Sequence, residues 1–175
     1  LIRQQGASEE LKARAWIAIG DSMILDKGAG TDPMARYAEA INAFGKIGAE
    51  NPLYMAAMGR IADCHFQMAS ADAARYPDAL TNYARIFAPA SKASISERSQ
   101  AMVGFGNTLR KMATLKSPPD AALLKAARDH YLDVFYFDDI ARKGEKPDPF
   151  WTVQAGLAAA RLYEEARETD KALAL

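Results

Sequence analysis

Cys64 and His65 are the one adjacent pair of soft-ligand side chains in this chain. A zinc or copper site needs three or four converging ligands, and the only other histidine is His130. His65 also lies on an apolar helical stripe, so packing is its expected role and no metal site is expected. Cys64 would act as a nucleophile only if tertiary structure brought a base such as His130 to it. Asp129-His130 and Asp138-Asp139 invite an acid–base reading. Neighbours on a helix point about 100° apart, however, so neither pair converges on one point. A solvated face or a helix end accounts for both. The chain has no phosphate-cradling glycine motif, no HExxH and no nucleophile elbow. Gly104-Phe105-Gly106 sits inside a helical pattern, where close packing explains it. The expectation is a non-enzyme with no catalytic residue, no metal and no cofactor.

A second candidate chemistry is electrostatic. Arg110-Lys111, Lys116, Lys125 and Arg128 form a loose basic cluster, but acids alternate with them and no aromatics interleave. A solvated face is the expected role, with a contact to an acidic peptide as the alternative. Lys+Arg and Asp+Glu both total 22, so the net charge is zero. That argues against sequence-independent nucleic-acid binding, which needs an excess of phosphate-neutralising side chains. No apolar run approaches the ~18 residues of a membrane-spanning helix, so direct membrane insertion is not expected. The lone cysteine excludes an internal disulfide framework. The chain opens at Leu1 and closes at Leu175 inside a periodic pattern. It therefore reads as a piece of a longer protein, and compartment stays open between cytoplasm and bacterial cell envelope.

The elements that would position any of these residues are helices. Asp32-Pro33, Asn51-Pro52, Ser117-Pro118 and Asp148-Pro149 each place a capping side chain before a proline. Proline suits the first helical turn, whose N–H groups have no intrahelical partner. Tyr76-Pro77 is a weaker fifth start, and Ser94 with Glu97 has capping-box spacing. These signals predict helices over about 8–27, 32–49, 52–70, 77–89, 95–115, 118–138 and 149–167, with a last one beginning near 169. No segment alternates at two-residue period with β-branched enrichment, so an all-α fold without strands is expected.

Three of these helices repeat one stripe: Tyr37-Ala40-Phe44-Ile47, Tyr76-Ala79-Tyr83-Ile86 and Leu124-Ala127-Tyr131-Val134. Steps of three and four put all four residues on one face, with alanine as the close-contact point. The preceding helices carry a companion pattern: Trp16-Ile19-Gly20-Met23, Met58-Ile61-Ala62-His65 and Met102-Phe105-Gly106-Leu109. A final pair shows Gly156-Ala159-Ala160-Tyr163 followed by Ala172. Together these resemble the tetratricopeptide repeat, a helix–turn–helix unit of about 34 residues with the signature W-x2-L-G-x2-Y, A-x3-F, P. The anchors Ala40, Ala79, Ala127 and Ala172 lie farther apart than that period. The extra residues fall between the helices of a pair, at Lys27-Gly28-Ala29-Gly30, Ser70-Ala71-Asp72-Ala73 and Thr114-Leu115-Lys116-Ser117.

The resemblance implies an α-solenoid of about three and a half to four antiparallel helix pairs in a right-handed superhelix. It would form a single domain over 1–175, with repeats at about 8–50, 52–90, 95–138 and 149–175. It implies that Gly20, Ala62, Gly106 and Ala160 face Ala40, Ala79, Ala127 and Ala172 within each pair. It also implies a concave groove, lined by the first helices, that holds a peptide. Carried over position by position, that groove presents Arg14, Asp21, Arg60, Asp63, Gln67, Gln100, Asn107, Arg110, Gln154 and Arg161. Arg60, Asn107 and Arg110 stand out as polar residues that neither packing nor capping requires. The family's peptide-carboxylate clamp uses a lysine and an asparagine where this chain has Ile17 and Asp21, so a receptor of that type is disfavoured. The expected function is a protein–protein interaction scaffold. The alternatives are a docking or regulatory domain of a larger enzyme, and a structural domain that self-assembles through an exposed repeat end.

Overall fold

The computed structural model describes residues 8–26 and 32–175. Among them are eight α-helices and no strand: α1 (Glu9–Leu25), α2 (Pro33–Phe44), α3 (Tyr54–Met68), α4 (Tyr76–Phe87), α5 (Ile95–Ala113), α6 (Ala121–Tyr136), α7 (Pro149–Glu165) and α8 (Thr169–Leu173). The all-α expectation holds, with each helix a little shorter than its periodic segment.

The caps explain most of the boundaries. Asp32 accepts from the Met34 N–H, and Asp148 accepts from the Phe150 and Trp151 N–H groups, each with proline in the first turn. Ser94 and Glu97 complete a capping box at the start of α5. Two expected starts move. Asn51 turns its side chain onto the Leu53 N–H, so α3 begins only at Tyr54. At Ser117-Pro118 the cap is Asp120, which accepts from Ala122 and Leu123, and α6 starts three residues after Pro118. Ahead of α4, Asp72 caps a short 3-10 turn, Ala73–Arg75, which runs straight into the helix. The expected insertion at Lys27-Gly28-Ala29-Gly30 lies outside the described residues.

The chain divides into two compact units, one ending at Asn82 and one from Tyr83 to Leu175. In the first, Gly20 of α1 lies against Phe44, while nearer the connection Arg36 donates to the Asp26 carbonyl. Contacts nested about a connection make α1 and α2 antiparallel. In contrast, partners on α1 and α3 advance together. The Asn51 side chain just before α3 donates to the Glu9 carbonyl, and Arg60 donates to Asp21. First helices therefore run parallel, with a second helix reversed between them in sequence. In the second unit, Gly106 meets Tyr131 and Arg98 reaches the Ile140 carbonyl, so α5 and α6 are antiparallel. Phe135 over Gly156 and Arg128 over Tyr163 make α6 and α7 antiparallel. Arg110 pairs with Glu165, and Ser96 bonds Asp148, so α5 and α7 are parallel.

The anchors Ala40, Ala79 and Ala127 are fully buried, as is Ala62. What comes nearest to the glycines of α1 and α5 is an aromatic ring. A Cβ on Gly20 would fall 2.3 Å from the Phe44 ring, and one on Gly106 would fall 2.5 Å from Tyr131. The glycine therefore seats the aromatic four residues beyond the alanine, and a ring lying on bare backbone sets the helix separation. In the last pair the register differs. Ala155, Gly156 and Ala159 are buried, whereas Ala160 and Ala172 are half-buried. Here the ring over the glycine comes from α6: a Cβ on Gly156 would fall 2.7 Å from Phe135.

Candidate functional site

Groups that could do covalent chemistry are buried in ways that suppress it. Burial, reinforced by Asp63 and Asp21, pushes the Cys64 thiol up to about 12, so no thiolate forms near neutral pH. His65 and His130 are lowered by burial, each against a carboxylate that pulls the other way. The His65 Nδ1 is 3.8 Å from Asp78, and the His130 Nδ1 is 4.0 Å from Asp133. Both nitrogens are buried without a hydrogen-bond partner. The His130 ring packs between Phe105 and Phe87, at 4.8 and 5.9 Å, which makes it part of the core. Asp138 and Asp139 are both exposed where α6 gives way to Phe137 in the left-handed conformation. Among the described residues no group of three or more His, Cys, Asp or Glu converges on a point. No described helix is long and apolar enough to cross a membrane.

The basic cluster dissolves into local pairs. Lys116 is held by Asp120 and Lys125 by Asp129, each at 2.6 Å, while Arg128 reaches Glu168 and stacks on Tyr163. Such pairs balance a solvated helix face and contribute little to stability.

The ten groove candidates fall on two surfaces, one in each unit. In the first unit, Arg14 is exposed and tied to Glu10 one turn back. Asp21 and Arg60 join α1 to α3 at 2.8 Å, both about two-fifths exposed. Asp63 is half-buried and engaged, and Gln67 is exposed. Ile17 packs against the core. In the second unit, Gln100 is half-buried, while Asn107, Gln154 and Arg161 are exposed. The Tyr131 hydroxyl donates to Asn107 at 2.8 Å, and Arg110 is paired with Glu165. One expectation is therefore corrected. Arg60, Asn107 and Arg110 all have structural partners: Arg60 and Arg110 tie parallel helices, α1 to α3 and α5 to α7, while Asn107 takes the hydroxyl of Tyr131 from the antiparallel α6.

Two features escaped the sequence reading. Arg98, at the start of α5, is only 2% exposed. It donates to the Ala93 and Ile140 carbonyls and pairs with Glu145, which it holds below the usual carboxylate range. Arg142, from the same loop as Glu145, donates to the Ala88 and Pro89 carbonyls. Arg98 is thus a strut pinning the loop after α6, beside a cleft of about 260 Å³ walled by Phe87, Pro89, Met102 and Ile140. The only hint in the sequence is an arginine on the inward face of an amphipathic helix.

The second feature is on α7. Ala155, Gly156, Ala159 and Leu162 face inward, yet Phe150, Val153 and Leu157 on the opposite side are each more than half exposed. Arg161 and Glu164 continue that outer stripe. The signal was legible as a second apolar series at steps of three and four, on a helix already supplied with a core face. No family model, no curated protein and no solved structure matches the chain.

Proposed function

We propose that this chain is a non-catalytic protein–protein interaction scaffold. In this reading it is a tetratricopeptide-like α-solenoid that takes a peptide or protein segment against the outer faces of its first helices. The observation that carries the reading is the recurrence of one packing unit in both halves of the chain. Gly20 seats Phe44 and Gly106 seats Tyr131, each beside a fully buried alanine and each within an antiparallel pair followed by a parallel first helix. Repeats of this kind put their conserved volume inside and leave rows of first-helix side chains outside, where partners bind. Cys64 is held as a thiol and the His130 ring packs against Phe105 and Phe87, which fits a non-catalytic role.

Residues engaged in internal ties make poor probes of this idea, so the test uses exposed ones. Gln154→Ala with Arg161→Ala alters the α7 surface, and Gln67→Ala alters the α3 surface, without touching a structural contact. Partners retained from a lysate of the cell of origin are compared between wild type and variants. Loss of a specific partner from one variant, with helicity and melting unchanged, supports the scaffold reading. An identical profile for all of them removes these faces from consideration.

A further inference from the structure

We propose that the outer face of α7 is a self-association surface, on which a second copy of this chain lays its own α7 antiparallel about a two-fold axis near Ala155. The proposal rests on the scaffold reading of first-helix faces and names the partner for one of them. Phe150, Val153 and Leu157 are 61%, 57% and 52% exposed and lie on one stripe opposite the buried Ala155 and Ala159. A contiguous apolar stripe with a polar border is what an interface leaves on a free subunit. Its border is informative. Lys146 before the helix, and Arg161 and Glu164 after the apolar residues, are exposed and form no ion pair among the described residues. The neighbouring Glu165, by contrast, is engaged by Arg110.

The order along the stripe is basic, apolar, then Arg161 and acidic. A second copy running the opposite way answers each of those in turn. With the axis near Ala155, Leu157 covers the partner's Val153 and Phe150 lies over the partner's Arg161, where a guanidinium favours an aromatic face. Lys146, in the extended segment just before the helix, is then at the same end of the pair as the partner's Glu164. Moving the axis toward Val153 would stack Phe150 on the partner's Leu157, but it would take the partner's Arg161 off Phe150 and draw it toward the basic end that carries Lys146. Like charges drawn together penalise that register, so charge selects the first. The symmetry is isologous and closes at two copies. One helix packed on one helix falls below the roughly 1,200 Å² of a standard interface, so the dimer is reversible and forms at high concentration.

The test is sedimentation equilibrium of the full chain from micromolar to millimolar concentration. Wild type should fit a monomer–dimer equilibrium with no larger species. Leu157→Glu, at an exposed position that leaves folding intact by circular dichroism, should raise the dissociation constant by about tenfold or more. Lys146→Glu alone and Glu164→Lys alone should each weaken association, and the two together in one chain should restore it. A chain that stays monomeric throughout overturns the proposal. So does association indifferent to Leu157→Glu, or a double charge exchange no better than the single ones. Wild type that is monomeric yet retains a specific partner through α7 defeats self-pairing and leaves the scaffold standing. A dimer that retains no other protein does the reverse.

Discussion

The first-helix faces of the two units differ in what their charges do. Along α1 and α3 the side chains answer one another: Arg14 is held by Glu10, and Arg60 by Asp21. Along α5 and α7 the α5 side is equally self-contained, with Asn107 holding Tyr131 and Arg110 holding Glu165. Yet Arg161 and Glu164 of α7, and Lys146 just before it, form no ion pair among the described residues around three exposed apolar side chains. The cores are alike, with Gly20–Phe44 answering Gly106–Tyr131. Packing constrains the inward residues of both units and leaves the outward ones free to differ. Equivalence of core positions therefore carries architecture, and the surfaces must be read separately.

The sharpest contrast between the units is between the Arg98–Glu145 pair of the second and the Arg60–Asp21 pair of the first. Replacing Arg98 with Met strands two buried carbonyls, and should cost about 2–5 kcal/mol by urea denaturation. A loss under ~1 kcal/mol would mean that Arg98 is not the strut of the loop after α6. Next in size is overpacking at a repeat anchor. Ala79 is fully buried, so Ala79→Leu should destabilise by about 1–3 kcal/mol. The exposed Ala73→Leu should stay within about 0.5 kcal/mol. Equal effects at the two sites would show that the alanine register is misplaced.

The histidines offer a pH test common to both units. Burial lowers the pKa of His65 and His130 from 6.5 in the folded state, so below that value the unfolded chain binds the extra protons. Stability is therefore full above pH ~6.5 and falls as pH drops toward the depressed folded values. Asp133, raised by burial, works in the opposite sense, because its contribution is present at low pH and lost as pH rises above 3.8. Wild type should show a lower urea midpoint at pH 5.5 than at pH 7.5, and His130→Phe should flatten that difference. An unchanged slope would place the proton uptake elsewhere. The smallest effect belongs to the surface pair. Arg60→Met should cost about 0–1 kcal/mol, since both partners are well solvated. A much larger loss would mean that the α1–α3 face is held as tightly as the loop at Arg98.

How much of this was legible beforehand follows from which forces are local. Caps such as Asp32, Ser94 and Asp148 act within one turn, so helix starts could be read almost to the residue. Where a cap had competition the reading slipped, as at Asp120, which took the role expected of Ser117. The alanine anchors were legible because periodic burial leaves a periodic pattern, as Ala40 and Ala127 show. The ring seated on Gly20 was not, since nothing in the spacing says which of two neighbours approaches a glycine most closely. The pairing of Arg60 with Asp21 and of Arg110 with Glu165 was also hidden, because partners 39 and 55 residues apart meet only through tertiary structure. The outer stripe of α7 was visible as sequence, but which of its two apolar faces is buried is set by the helices packed against it.

The most direct test of the account compares one perturbation on each face. Partner retention and self-association are measured for Gln67→Ala on α3 and Leu157→Glu on α7, with melting temperature as the control for folding. The account predicts that both chains stay folded, that Leu157→Glu loses association, and that Gln67→Ala keeps the self-association of wild type. Equal losses from the two faces, or no loss from α7, would contradict it.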